Sequence, residues 1–310
     1  MTSAVEYRGE LLSRGDDRSW LWKARQPFVP GAKAALRGVG MATAGRRTGP
    51  DFLLIGAKRG GSTSIYRNLV ATPGVAPLFP RRSQIKGTYY FDVEYERGER
   101  WYLSHFPTAI GRAARADDDG TPAIVGEASP YYLSHPHAAG RAAALLPGAR
   151  IIVALRDPVR RAHSHYQERV RQRIETRPTF AEAIAAEPSR LEGEWERMSA
   201  DPRYVSSAHL NFGYLAQSAY DRGLQRWLSA YGRDRVLILR SEDFYADERS
   251  TLDEIRRFLG LGPVELPAPR HYNDTGSGDL DPRLEADLRD RLRASVDRLE
   301  QLAGRTFDWF

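Results

Sequence analysis

The chain is expected to fold as an α/β domain, a parallel sheet flanked by helices on both faces. Two observations predict this. From residue 51 onward, short apolar runs alternate with longer segments of helical periodicity, the pattern of strand–helix–strand crossovers. The runs Phe52–Gly56 and Ile151–Leu155 are also apolar nearly throughout, as strands covered on both faces are.

Strands are expected near 52–56, 123–126, 150–155 and 235–240. Helices are expected near 62–71, 97–105, 136–145, 158–173, 214–230, 247–259 and 282–302. Asp201 to Gly213 reads as loop, and so does His271 to Asp281, rich in Gly, Ser, Asp and Thr. Residues 1–50 read as an N-terminal extension and residues 51–310 as the domain. In the extension, Ser13–Arg25 is polar around Trp20, Leu21 and Trp22, and Gly31–Arg47 is small and basic. Such a segment either packs its tryptophans on the domain or makes peripheral contact with a membrane surface or an acceptor carrier.

Composition narrows the function. The 310 residues are 41% hydrophobic, enough for one large core. Cysteine is absent, which excludes disulfides and thiolate metal sites. No apolar run approaches the roughly 20 residues that span a bilayer. Met1–Glu10 carries Glu6, Arg8 and Glu10 and lacks a signal-peptide core, so a cytoplasmic protein is expected. The net charge of +6 suits an acidic ligand. Nucleic acid is not an expected partner, because the basic residues are scattered and mostly balanced by acids. Arginine supplies 42 of the 46 basic residues; the four lysines are at 23, 33, 58 and 86.

The first chemical motif follows the first strand: Gly56-Ala-Lys58-Arg59-Gly60-Gly61-Ser62-Thr63-Ser64. A strand, a glycine-rich turn and a helix start make an anion site, because backbone N–H groups and the helix dipole favour negative charge there. The turn is P-loop-like, with Gly56 and Gly61 at the two glycines of G-x-x-x-x-G-K-[ST]. Ser62 stands where that pattern needs the Lys that reaches the β- and γ-phosphates, and the cations sit earlier, at Lys58 and Arg59. The second motif follows the strand at 150–155. Arg156 lies at its end, Asp157 can cap the next helix, Pro158 suits its first turn, and Ser164 lies two turns on. Arg156 offers planar, charge-assisted contacts to phosphate. Arg160, Arg161 and Arg169 read as a solvated basic face. His163 and His165, two apart on this helix, read as surface or donor-pocket residues.

These motifs resemble the sulfotransferases that use 3′-phosphoadenosine-5′-phosphosulfate (PAPS) as donor. Gly56, Arg59, Gly61, Ser62 and Thr63 match their 5′-phosphosulfate loop, and Arg156 with Ser164 matches their 3′-phosphate motif. Lys86-Gly-Thr-Tyr-Tyr-Phe91-Asp92, Arg97-Gly98, Trp101-Tyr102, His105-Phe106-Pro107, Glu127-Ala-Ser129-Pro130-Tyr131-Tyr132 and Gly304–Trp309 follow the order of the bacterial and heparan-type members. The resemblance runs from about residue 51 to the end. It implies sulfuryl transfer from PAPS to a hydroxyl or amine of a carbohydrate, glycolipid or small natural product, leaving 3′,5′-adenosine diphosphate, with no metal.

The resemblance also assigns roles. Lys58, Arg59, Gly60, Gly61, Ser62, Thr63, Ser64, Arg156 and Ser164 would hold the donor. Arg59 aligns with the catalytic lysine of many relatives, with Lys58 beside it. The familiar base is missing, because Gly87 stands where heparan-type relatives carry Glu. Asp92 is the first candidate base, followed by Glu127 and His105. Lys86, Tyr89, Tyr90 and Tyr131 are candidates for the acceptor wall. A nucleotide kinase or NTPase, and a catalytically inactive donor-binding relative, stay open as alternatives.

Overall fold

The structure is a computed structural model that describes residues 30–80, 85–116, 120–262, 264 and 280–310. Its centre is a five-stranded parallel sheet. The strands are β1 (Phe52–Gly56), β2 (Val75–Ala76), β3 (Ile124–Ala128), β4 (Arg150–Leu155) and β5 (Val236–Arg240), in the order β2-β3-β1-β4-β5. The four strands expected from apolar runs are present. Strand β2 is too short to give a periodic signal.

Side chains alternate across the sheet. Leu53, Ile55, Ile151, Val153 and Leu155 enter one core layer with Trp227, while Phe52, Leu54, Ile152 and Ala154 enter the other with Ile65, Leu69 and Ile255. Each strand therefore loses its polar face, which is why the sequence shows continuous apolar runs. Phe52 needs room that a side chain on β3 would fill. A Cβ built on Gly126 would lie 2.3 Å from the Phe52 ring.

The helices are, in chain order, α1 (Pro30–Ala42), α2 (Ser62–Val70), α3 (Glu99–Leu103), α4 (Ala109–Ala113), α5 (Ala138–Leu145) and α6 (Pro158–Arg171). Then come α7 (Phe180–Leu191), α8 (Glu194–Ala200), α9 (Ser207–Phe212), α10 (Tyr220–Tyr231), α11 (Ser241–Ala246), α12 (Glu248–Leu259) and α13 (Pro282–Ala303). Helix α6 starts as its sequence suggests. Asp157 accepts from Val159 N and Arg160 N, both at 2.9 Å, with Pro158 in the first turn. A cap of this kind contributes about 1 kcal/mol.

Two expectations are corrected. The segment 201–213, read as loop, contains α9, started by Ser206 Oγ accepting from His209 N at 2.9 Å. Of the basic face expected on α6, Arg160 stays partly exposed, but Arg161 and Arg169 are not solvated. Arg161 is fully buried and donates to Ser218 Oγ at 2.7 Å and to the Tyr214 carbonyl, while Arg169 donates to Asn211 Oδ1 at 2.9 Å. Helix α6 is covered by α7, α9 and the start of α13, so polarity alone misjudged its environment. His163 and His165 are buried too, packed on Phe180 and Tyr214. Trp20 and Trp22 and most of the loop expected at 271–281 lie outside the described residues.

The described residues just before β1 pack on the domain. Arg37 donates to the Ser104 carbonyl and Arg47 to that of Phe106. The Arg47 guanidinium sits 4.2 Å over the Phe79 ring, and Arg47 bridges to Thr108. No helix among the described residues is long and apolar enough to cross a membrane.

Candidate active site

Strand β1 has β3 on one side and β4 on the other, the arrangement at which an open α/β sheet splits to leave a crevice beyond its strand ends. A cleft of about 1460 Å³ opens there. It is lined by the β1–α2 turn, the residues after β4, the 85–89 segment, Trp101, His105 and Arg160, Glu168 and Arg169 of α6.

The turn is shaped by two glycines. Gly61, the residue before α2, has φ 83°, a conformation that side chains disfavour. At Gly60 a Cβ would lie 2.5 Å from the Ala154 carbonyl oxygen, so only hydrogen lets the turn pass β4. Ser62, Thr63 and Ser64 begin α2 and line the cleft. Ser241 Oγ donates to the Gly60 carbonyl at 2.8 Å and anchors the turn from behind.

The loop cations diverge. Lys58 Nζ donates to the Leu210 carbonyl on α9 at 3.0 Å. Arg59 takes φ 69° and turns to α6, where Nε donates to Ser164 Oγ at 3.0 Å and Nη1 meets Glu168 Oε1 at 3.4 Å. The aligned catalytic cation therefore sits with the serine of the second motif. Lys86 Nζ lies 3.3 Å from Ser62 Oγ, so the cation at the helix start comes from outside the turn. Desolvation lowers the Lys86 ammonium to about 8, a shift opposed by Glu168 and aided by Arg67 and Arg59. Burial also pulls Lys58 well below its usual range, with Arg169 adding to the effect. Crowded, desolvated cations of this kind favour an anionic ligand.

Arg156 lines the same cleft, and Tyr220 Oη fixes its carbonyl at 2.9 Å. Beside it, Arg289 bridges Asp157 at 3.0 Å and Glu285 at 2.7 Å, while Trp309 Nε1 donates to Glu242 Oε2 at 3.3 Å. Arg289, Glu168 and Tyr245 line the cleft and were not picked out from the sequence. Arg289 and Glu168 stand on long charged helices and Tyr245 on a helix of six residues, so nothing local marked them.

The acceptor-side candidates separate. Tyr89 is 39% exposed and lines the cleft. Tyr90 does not line it; its ring stacks on Tyr102 in the core, with centroids 4.6 Å apart. Glu127 is fully buried, outside the lining, and accepts from Thr88 N at 2.6 Å, Thr88 Oγ1 at 2.7 Å, Tyr102 Oη and Tyr132 Oη at 3.0 Å, and Ser129 Oγ at 3.1 Å. Its lone pairs are committed to holding the 88–91 segment. Asp92 is also buried and outside the lining; Oδ1 accepts from Val93 N at 2.5 Å, and burial raises its carboxyl well above the usual range. Neither carboxylate lines the cleft, which argues against their ranking as bases. His105 does line the cleft. Its Nδ1 lies 2.8 Å from the Trp101 carbonyl, which holds the proton on Nδ1 and leaves Nε2 bare, and burial lowers its pKa to about 4. Tyr131 lines the cleft as well, and its Oη lies 2.7 Å from His209 Nδ1.

Residues 50–265 match the family model described as "Sulfotransferase family". The chain belongs to the sulfotransferase family. The sulfotransferase is 31% identical over 220 residues to bifunctional heparan sulfate N-deacetylase/N-sulfotransferase 2 of Bos taurus, covering 69% of this chain and 22% of that protein. It is 29% identical over 240 residues to isoform 4 of that enzyme in Mus musculus, covering 76% of this chain and 24% of that one. A membrane-associated sulfotransferase of Dictyostelium discoideum is 23% identical over 84% of this chain and 66% of its own length. The chain thus spans about a quarter of the heparan relatives it matches. The crystal structure of a sulfotransferase from Alicyclobacillus acidocaldarius superposes with a TM-score of 0.63 at 28% identity, covering 84% of this sulfotransferase and 99% of that chain.

Proposed function

We propose that this sulfotransferase moves a sulfuryl group from PAPS to a hydroxyl or amine of a carbohydrate acceptor, and that it does so in the cytoplasm. The observation that carries the donor assignment is the Arg59–Ser164 contact, which joins the turn after β1 to the helix after β4 in one cationic cleft. The donor has two anionic ends, a 5′-phosphosulfate and a 3′-phosphate. The cleft offers a helix N-terminus with three hydroxyls for the first and Arg156 and Arg59 for the second, with the buried Ser164 holding Arg59 from behind. PAPS supplies an activated sulfur and an anionic leaving phosphate. Lys86 and Lys58 would neutralise charge that grows on that phosphate, where a preorganised cation acts with little reorganisation. The carbohydrate acceptor is supported by the heparan-acting relatives and by the open wall of Tyr89, Trp101 and Arg97.

Gly87 favours a second reading, an inactive relative that binds the donor without transfer. A Cβ at residue 87 would lie 2.3 Å from the Ala128 carbonyl oxygen, so this backbone excludes the Glu of heparan-type relatives. Calorimetry with 3′,5′-adenosine diphosphate against 5′-AMP tests the donor site. Much tighter binding of the bisphosphate is expected, and equal affinity would remove the 3′-phosphate assignment. Sulfated product from any carbohydrate would set the inactive reading aside.

A further inference from the structure

The familiar base is absent, the Glu127 oxygens are filled by hydrogen bonds, and Asp92 is buried outside the cleft lining. We propose that Tyr131, hydrogen-bonded to His209, takes the acceptor's proton in place of the missing glutamate. This rests on the sulfuryl-transfer reading above.

Three relationships carry it. First, the pair is in contact: Tyr131 Oη and His209 Nδ1 are 2.7 Å apart, and both residues are buried. Second, it borders the ground that Gly87 leaves bare. The Gly87 backbone packs on Ala128 and Ser129, two residues before Tyr131, and Gly87, Pro130 and Tyr131 all line the cleft. Third, it converges with a loop cation. Lys58 Nζ binds the carbonyl of Leu210, the residue after His209, so α9 carries both the histidine and the anchor of the lysine.

The charge balance is simple. As the acceptor oxygen bonds to sulfur and the sulfur–oxygen bond to phosphate breaks, the electron pair leaves with the phosphate. The acceptor's proton goes to Tyr131 Oη, and the tyrosine's own proton moves to His209 Nδ1. His209 also borders a second cavity of about 380 Å³ behind α9, through which the proton can reach solvent. The titratable groups whose charge acts on this ring are Arg226 on α10, Glu194 on α8, Lys58 on the turn, Arg161 on α6 and His135 after β3. Burial first, then Arg226, lowers the ring's pKa to about 4, so the ring is neutral and its Nδ1 can accept the Tyr131 hydrogen bond. Anionic donor beside Lys58 offsets one of the opposing cations during turnover. Tyr131 is the catalytic residue here, and His209 positions it and receives its proton.

The test has a readout that needs no turnover. Nitrogen-15 NMR of the full chain should show His209 with a bare Nδ1 that loses its hydrogen-bond shift in Tyr131→Phe. A protonated Nδ1 would reverse the hydrogen bond and overturn the proposal. Release of 3′,5′-adenosine diphosphate from PAPS, with water as the acceptor, then reads the chemistry. Tyr131→Phe should lower it about 100-fold with unchanged affinity for 3′,5′-adenosine diphosphate. His209→Gln should lower it about 10-fold and flatten its pH dependence. Near-normal release by Tyr131→Phe, or a 100-fold loss in His105→Gln instead, would move the base elsewhere. Failure of the unaltered protein to bind 3′,5′-adenosine diphosphate would withdraw the donor reading, while the NMR result would still judge the Tyr131–His209 pair.

Discussion

Lys86 Nζ stands 3.3 Å from Ser62 Oγ, so a lysine from the segment before β3 completes a helix start that lacks a lysine of its own. A nucleoside-triphosphate loop would place its cation at residue 62 itself. Here the cation and the helix N-terminus belong to separate parts of the chain.

Lys86→Met should cut turnover by about 100-fold while nucleotide affinity falls less, the signature of a group that acts on charge developing in the transition state. The ammonium is charged below about pH 8 and neutral above it, so kcat/KM should fall on the alkaline side. Lys86→Arg should push that limb upward. An unchanged rate in Lys86→Met would return the role to Lys58.

Arg59→Ala should behave in the opposite way. Its guanidinium meets Ser164 and Glu168, so its loss should weaken 3′,5′-adenosine diphosphate by about 1.5–3 kcal/mol. Affinity for 5′-AMP should change much less. Calorimetry of both nucleotides separates this from a role at the leaving phosphate, for which the two affinities would fall together.

Glu127→Ala is expected to destabilise the fold rather than remove a base. It leaves Thr88 N, Tyr102 Oη and Tyr132 Oη without their acceptor in a dry interior, at a cost of at least about 3 kcal/mol. Denaturant unfolding measures this. A stable variant that has lost only its activity would restore Glu127 as a candidate base.

Gly87→Glu should not create the glutamate of the heparan-type relatives. The new Cβ meets the Ala128 carbonyl and Ser129 Oγ, at 2.3 and 2.5 Å, and the backbone must shift at a cost of about 1–3 kcal/mol. The expected result is a lower melting temperature and slower transfer. A faster enzyme of normal stability would show that the segment yields easily.

Transfer should persist in EDTA. Lys58, Arg59, Lys86 and Arg156 surround the cleft, and Ser62 replaces the lysine of Mg-dependent triphosphate loops. Activity lost to the chelator and restored by Mg would contradict this.

The donor half of the site was legible because it is local. A strand, a turn and a helix start are consecutive in sequence, and Arg156, Asp157 and Ser164 fall within nine residues, which lets spacing report geometry. The acceptor half is assembled from distant segments, and spacing is silent there. Asp92 and Glu127 looked equivalent as carboxylates inside motifs, and only burial and hydrogen bonding show that both serve the interior. Arg161 and Arg169 read as solvated because charge usually marks a surface, yet carbonyl and amide partners from the 211–218 segment bury them. His209 went unnoticed because α9 has only six residues, too few to show a helical period. The direction of Arg59 was also unreadable, since it follows from one backbone angle in the turn.

The family match begins at residue 50, but the wall of the cleft is braced by what comes before it. Arg37 and Arg47 hold the carbonyls on either side of His105, and Arg47 covers Phe79, whose N–H binds the His105 carbonyl at 2.7 Å. A fragment expressed from residue 50 would retain the recognisable signature and lose one jaw of the vice around His105. Assays on such a fragment would understate the enzyme, and its acceptor preferences would be those of a loosened wall.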